Sequence, residues 1–119
     1  CRLVKSPQDR RSVRLVIKKA CDYAAKHYME EISLTQIAAY VGLSVSHFSA
    51  LFKQHTNESF VHYLNRIRID KAKELLLEPD LKIYQVAELV GFDTIPYFNR
   101  VFKTITGLSP NEYRKEMGL

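Results

Sequence analysis

Apolar residues along this chain recur at three- and four-residue spacing, and no segment alternates strictly over the length of a strand. The pattern therefore predicts helices throughout. Residues 1–6 read as a frayed tail. Ser6-Pro7-Gln8-Asp9 can open a first helix, with Ser6 as cap and Pro7 in the first turn. Ile17, Ala20, Cys21, Ala24 and Tyr28 share one face of it, and its end falls near Glu30. Ser33 to Gln36 is a Ser-x-x-Gln capping box, and the helix behind it buries Leu34, Ile37, Ala38 and Val41. Gly42 ends this helix in a left-handed conformation. Ser44 caps the next, with Phe48, Leu51, Phe52 and His55 on one face and Asn57 as a second left-handed stop. Ser59 caps the longest helix, which runs to about Leu77 and is roughly 27 Å long at 1.5 Å per residue. Its apolar positions are Phe60, Leu64, Ile67, Ala72, Leu75 and Leu76. Pro79-Asp80 makes a turn. Helices over 83–90 and 95–105 follow, and Ser109-Pro110-Asn111-Glu112 caps a last short one.

Two stretches of this pattern are copies of each other. Gln36, Ala38, Val41 and Gly42 recur 49 residues later as Gln85, Ala87, Val90 and Gly91. After one extra residue, Phe48, Phe52, Lys53, Thr56, Ser59 and Tyr63 recur 50 residues later as Phe98, Phe102, Lys103, Thr106, Ser109 and Tyr113. Each copy reads as a short helix, a turn at Gly and a longer helix. That is the layout of a helix-turn-helix, whose second helix can enter a DNA major groove.

With Phe48, Leu51 and Phe52 committed to the core, Ser46, His47, Ser49, Ala50 and Lys53 remain to face outward in the first copy. In the second copy Phe98, Val101 and Phe102 are core, which leaves Pro96, Tyr97, Asn99, Arg100 and Lys103. Ser44 and Thr94, just ahead of these faces, complete the candidate DNA-binding set. A guanidinium can donate two parallel bonds to guanine O6 and N7, so Arg100 is the sharpest candidate for reading a base. Asn99 can pair with adenine in the same way. Ser46 and Ser49 can bond phosphates or bases, whereas Ala50 can only touch a thymine methyl. Lys53 and Lys103 suit phosphate contact. Arg66, Arg68, Lys71 and Lys73 alternate with Asp70 and Glu74 on the long helix, where intrahelical ion pairs are the expected fate of most.

The net charge of +5 favours a polyanionic partner. Cys1 and Cys21 have no framework spacing, which suggests a reduced, cytoplasmic protein, and Cys21 reads as core filler. No apolar run is long enough for a bilayer, and no segment reads as a secretion signal. Since it opens on Cys1, the chain reads as a piece of something longer. No Gly-rich phosphate loop, HExxH, CxxC or nucleophile motif is present, so no catalytic residue, metal or cofactor is expected.

From about Ile17 onward the chain resembles the DNA-binding domain of the AraC/XylS family of transcription regulators. The resemblance is carried by Ile83-Tyr84-Gln85-Val86-Ala87, Val90-Gly91-Phe92, Tyr97-Phe98-Asn99-Arg100-Val101-Phe102-Lys103 and Gly107-Leu108-Ser109-Pro110-Asn111-Glu112-Tyr113-Arg114. Arg66-Ile67-Arg68-Ile69-Asp70-Lys71-Ala72-Lys73-Glu74-Leu75-Leu76 is similar to the family's linker helix, and Asp80-Leu81-Lys82-Ile83 to response regulators that end in this domain. The resemblance implies an all-α fold of seven helices in two helix-turn-helix lobes joined by a long linker helix. It makes 44–55 and 95–105 the two recognition helices. Family members often carry Arg where this chain has Ala50, and Ser where it has Pro96.

The organisation expected is a tail or linker remnant over 1–12, a first lobe over 13–58, the linker helix over 59–77 and a second lobe over 78–119. The expected function is sequence-specific binding of double-stranded DNA, with the two recognition helices in successive major grooves. The rival is a helical protein-interaction module contacting RNA polymerase, which is also the second expected partner. Dimerisation of the full-length protein stays open.

Overall fold

The structure is a computed structural model that describes residues 5–118, with side chains described from residue 12. Among these residues there are seven helices and no strand: α1 Lys5–His27, α2 Leu34–Val41, α3 Val45–Thr56, α4 Phe60–Leu75, α5 Ile83–Leu89, α6 Ile95–Thr106 and α7 Pro110–Glu116. Lys5 is already helical, so Ser6 lies inside α1 rather than capping it; its side chain and residues 1–4 fall outside the described residues.

The chain divides into two compact units. One holds α1, α2, α3 and the first turn of α4; the other holds Tyr28–Glu31 and the chain from Leu64 onward. In the first unit Ala20 and Ala24 of α1, Ile37 and Ala38 of α2, Phe48 and Phe52 of α3, and Phe60 are buried. Leu34, Leu51 and Val41 are only half-buried, and His55, expected on the same face as Phe48 and Phe52, is exposed. In the second unit Ile69, Ala72, Leu76, Val86, Ala87, Val90, Phe92, Phe98 and Phe102 form one cluster.

The repeat extends into the packing. Phe52 meets Tyr63 and Phe102 meets Tyr113, each pair edge-on with ring centroids 5.6 Å apart. The remaining aromatic is placed differently. The first unit packs Phe60 against Phe48 and Phe52, where the second buries Pro110 at the equivalent position and inserts Phe92 against Phe98.

Helix ends follow the capping chemistry. Ser33 Oγ accepts from Gln36 N–H at 3.1 Å, and Gln36 Oε1 accepts from Ser33 N–H at 2.8 Å. Ser109 and Glu112 repeat this pair at 3.1 and 2.8 Å. Before α5 only the return bond forms, Gln85 Oε1 accepting from Lys82 N–H at 2.8 Å, because a lysine has no side-chain acceptor. Gly42 (φ 81°) and Asn57 (φ 65°) are both left-handed, as expected. The recurring threonines close the turns after the longer helices. Thr56 Oγ1 lies 2.8 Å from Phe52 O and 3.0 Å from Glu58 O, and Thr106 Oγ1 the same distances from Phe102 O and Leu108 O.

Two helices stop short of their expected ends, and an arginine bonds to the backbone beyond each. The carbonyls of Tyr28 and Glu30, just past α1, accept from Arg68 Nε at 2.7 Å and Nη2 at 2.8 Å. Those of Leu76, Glu78 and Leu81, just past α4, accept from Arg114 at 2.7–3.1 Å. In each case an arginine supplies donors to backbone carbonyls beyond the end of a helix.

Candidate nucleic-acid interface

Each copy of the repeat is a complete helix-turn-helix: α2, the Gly42 turn and α3 in the first, α5, the Gly91 turn and α6 in the second. The second helix of each is 12 residues long and buries the equivalent pair of phenylalanines, Phe48 and Phe52 in α3, Phe98 and Phe102 in α6. That burial fixes which side chains are left outside. In α3, Ser46, His47, Ala50 and Lys53 are exposed and Ser49 is half-buried. In α6, Pro96, Asn99, Arg100 and Lys103 are exposed.

Ser44 and Thr94 act first as caps. Ser44 Oγ accepts from His47 N–H at 3.1 Å, and Thr94 Oγ1 from Tyr97 N–H at 3.3 Å. Both residues are exposed, and a hydroxyl that accepts one bond keeps a donor for another partner. Pro96 is the second residue of α6, where its missing N–H costs no helical bond.

Electrostatics favours these helices as the DNA-facing ones: each carries a lysine and neither carries a carboxylate. The protein has 13 acidic residues, yet α3 and α6 contain none. The side chains that these two helices themselves offer a phosphate are neutral or basic. Around α6 the surface forms a groove of about 670 Å³, in which Asn99, Arg100, Lys103 and Thr104 are flanked by Ile83 and Tyr84 from the start of α5 and Asn111 from the start of α7. Tyr84, Thr104 and Asn111 are additions to the expected set; Thr104 lies on α6 itself, and Tyr84 and Asn111 lie on helices that sequence spacing does not bring beside α6.

Tyr97 is placed differently from its neighbours. It is half-buried, its ring lies edge-on to Phe92 with centroids 5.7 Å apart, and its hydroxyl accepts from Asn65 Nδ2 at 3.0 Å. The Arg100 guanidinium lies 5.3 Å from the centre of that ring. On α4, Lys71 and Lys73 form the expected pairs with Glu74 and Asp70, at 4.0 and 3.8 Å. Arg68 does not. It is 8% exposed, bonds to the carbonyls beyond α1 and stacks over Phe92 at 5.7 Å. Burial lowers its pKa from the ordinary arginine value, against the charge of Asp93 and the nearby Tyr97.

A second cleft of the same unit has the opposite character. It has a volume of about 510 Å³ and is lined by Glu31, Glu88 and Asp93 with Met29, Tyr84, Phe92 and Ile95, and by no lysine or arginine. Elsewhere, Cys21 is half-buried and burial raises its thiol pKa, so the thiol stays protonated as a packing group. Among the described residues no group of three or more His, Cys, Asp or Glu side chains could hold a metal ion, and no helix is long and apolar enough to cross a membrane.

Residues 37–116 match the family described as helix-turn-helix domain. The chain is 39% identical over 98 residues to an uncharacterized HTH-type transcriptional regulator of Staphylococcus aureus, an alignment that covers 82% of this chain and 13% of that protein. The chain thus spans only a small part of that curated relative. Among solved structures it is similar to the C-terminal domain of AraT, a response regulator from Geobacillus stearothermophilus, with 37% identity and a TM-score of 0.79 over 95% of this chain and 88% of that one. It is also similar to a Chromobacterium violaceum transcriptional regulator described by its AraC-type DNA-binding domain, with 26% identity and a TM-score of 0.77 over 87% and 92%. Relatives of both the AraC type and the response-regulator type are therefore represented.

Proposed function

This chain belongs to the helix-turn-helix domain family of transcriptional regulators, and from that premise we propose that it binds double-stranded DNA sequence-specifically through α3 and α6. Its role is regulatory rather than enzymatic. The observation that carries the reading is the pair of equivalent helices, each second in its helix-turn-helix and each free of acidic residues. The site comprises Ser44, Ser46, His47, Ser49, Ala50 and Lys53 in the first copy, and Thr94, Pro96, Tyr97, Asn99, Arg100 and Lys103 in the second. Phosphate contacts from Lys53 and Lys103 orient the domain, and Arg100 and Asn99 read bases. The two helices enter successive major grooves about 34 Å apart, with lobes over 13–58 and 78–119 and residues 59–77 as spacer.

Binding measured across salt concentrations tests this. Each phosphate neutralised contributes a slope of about −0.9 to the log–log plot, so several contacts give a steep decline. A flat plot removes the proposal. Inserting about five base pairs, half a helical turn, between the two protected grooves should abolish binding; undiminished binding would leave only one unit reading DNA.

The finer assignment is to the AraC/XylS family, as the output domain of a cytoplasmic two-component response regulator. It is supported by the motifs over 83–114 and by the likeness to the AraT domain. A second reading adds RNA polymerase as a partner. The cleft of Glu31, Glu88 and Asp93 favours it, because an acidic-rimmed apolar surface on a basic domain suits a protein partner rather than phosphate. Charge reversal at Glu88 and Asp93 should then reduce transcription activation while leaving DNA affinity unchanged.

A further inference from the structure

Four side chains of the second unit alternate as cation, ring, ring and cation. Arg68 lies over Phe92 at 5.7 Å, Phe92 meets Tyr97 edge-on at 5.7 Å, and Tyr97 carries Arg100 at 5.3 Å. One end is anchored, because Arg68 is bonded to the carbonyls of Tyr28 and Glu30. The other end is exposed, in the groove around α6.

An arginine three residues after a tyrosine often lies over its ring, since the two are neighbours on a helix surface. Here the tyrosine is also held from outside its own helix. Asn65 of α4 is 7% exposed, and its amide donates to the Tyr97 hydroxyl at 3.0 Å. An amide that deep is unfavourable without a partner, and an apolar residue would fill the same space without that demand. Asn65 thus fixes the Tyr97 ring along its long axis while Phe92 fixes it from the side. The only freedom left to Arg100 is that of its own side chain over a stationary surface.

We propose that Asn65 and Tyr97 are positioning residues for Arg100: α4 sets the pose of the base-reading arginine through the Asn65–Tyr97 bond, without touching DNA. This rests on Arg100 as a base reader. Pre-orienting a long side chain lowers the ordering cost of its bidentate contact, so the benefit falls on the preferred base and not on phosphate binding. Tyr97 accordingly acts by holding Arg100 rather than by reading a base itself.

The experiment compares Asn65→Leu, Tyr97→Phe and Arg100→Ala in the whole chain, each checked by helical circular dichroism. Asn65→Leu removes the donor while keeping the volume; Tyr97→Phe keeps the ring and removes the hydroxyl. Both should lower discrimination at the Arg100 base pair by roughly threefold to tenfold, and Asn65→Leu, which lies outside the DNA-binding set, should leave affinity for random duplex DNA and the salt slope unchanged. The double variant should be no worse than either single one, because the two changes remove one shared bond. Nitrogen relaxation at Arg100 Nε in the DNA-free chain should show greater mobility in both variants. If Arg100→Ala abolishes the preference but Asn65→Leu and Tyr97→Phe alter neither preference nor mobility, the positioning role is wrong and base reading stands. If Arg100→Ala leaves the motif unchanged, base reading fails and the positioning role fails with it.

Discussion

Arg114 does past the end of α4 what Arg68 does past the end of α1. Each directs its Nε and Nη2 at backbone carbonyls two residues apart, Tyr28 and Glu30 for Arg68, Leu76 and Glu78 for Arg114. The repeat does not align them. Arg114 follows Tyr113 directly, whereas Arg68 lies one helical turn beyond Leu64, the residue that follows Tyr63. The same task is met from different turns of different helices, so the shared requirement is the carbonyls and not the register.

Removing either arginine should therefore destabilise the fold. Carbonyls deprived of a charged donor in a partly dry setting cost about 1–3 kcal/mol. Arg68→Ala is expected to lose about 3 kcal/mol, and Arg114→Ala, whose site is more open, about 2 kcal/mol. Lysine should restore less than half of either, since a single ammonium cannot reproduce the planar donor set. Urea unfolding measures this; a full rescue by lysine would show that charge alone suffices.

Gly42 and Gly91 occupy the same place in the repeat and should respond differently to substitution. Both have positive φ, 81° and 99°. A Cβ on Gly42 meets nothing within 4 Å, whereas one on Gly91 lies 2.7 Å from Tyr28 O and 3.1 Å from Arg68 Nε. Gly42→Ala is expected to cost about 1–2 kcal/mol for the backbone conformation alone. Gly91→Ala adds a backbone clash beside the Arg68 bonds and should cost at least about 2 kcal/mol more. Equal melting temperatures for the two variants would remove the clash as a cause.

Acid should loosen the start of α7. The Ser109 N–H lowers the Glu112 pKa from the ordinary glutamate value, and Lys103 and Lys115 lower it further. A depressed folded pKa means stability that is present above the unfolded value, about 4.3, and lost as pH falls through the folded one. At the equivalent cap of the first copy the third residue after Ser59 is His62, so no carboxylate stands there. Glu112→Gln keeps an acceptor but removes the charge, so it should flatten the dependence of melting on pH below about 4.3. An unchanged acid profile would place the loss elsewhere.

The caps and the phenylalanine ladder were legible in the chain because their partners lie within a helical turn. Ser33 with Gln36, Ser44, Ser59 and Ser109 with Glu112 all cap where their spacing predicts. What escaped was set by distant partners. Asn65 and Arg68 share a face with Leu64, Ile69 and Ala72, yet polar residues read as surface until the groups they bond, 32 to 40 residues away, are in place. The same blindness put Ile67 in the core and overlooked Ile69; the former is half-buried and the latter fully so. Tyr97 was expected to face outward with Arg100, and it instead spends its hydroxyl on Asn65. The candidate DNA surface itself was legible from the repeat, since burying two phenylalanines a turn apart determines the opposite face.

Sequence preference should depend more on Arg100 than on any residue of α3. Arg100 is exposed and can contact guanine bidentately, while Ala50, its repeat equivalent, has no polar group. Arg100→Ala should cost roughly 1–3 kcal/mol on the preferred site and relax choice at one base pair. Lys103→Ala should instead weaken binding to all sequences about equally and reduce the salt slope by about one. The reverse change is as informative. Ala50 is exposed on a helix free of acidic residues, so Ala50→Arg meets no carboxylate there that would capture it and should add a guanine preference in the first half-site. Selection from random duplexes with the chain and its three variants separates these outcomes. A motif untouched by Arg100→Ala but rewritten by changes at Ser46 or Ser49 would invert the ranking of the two helices.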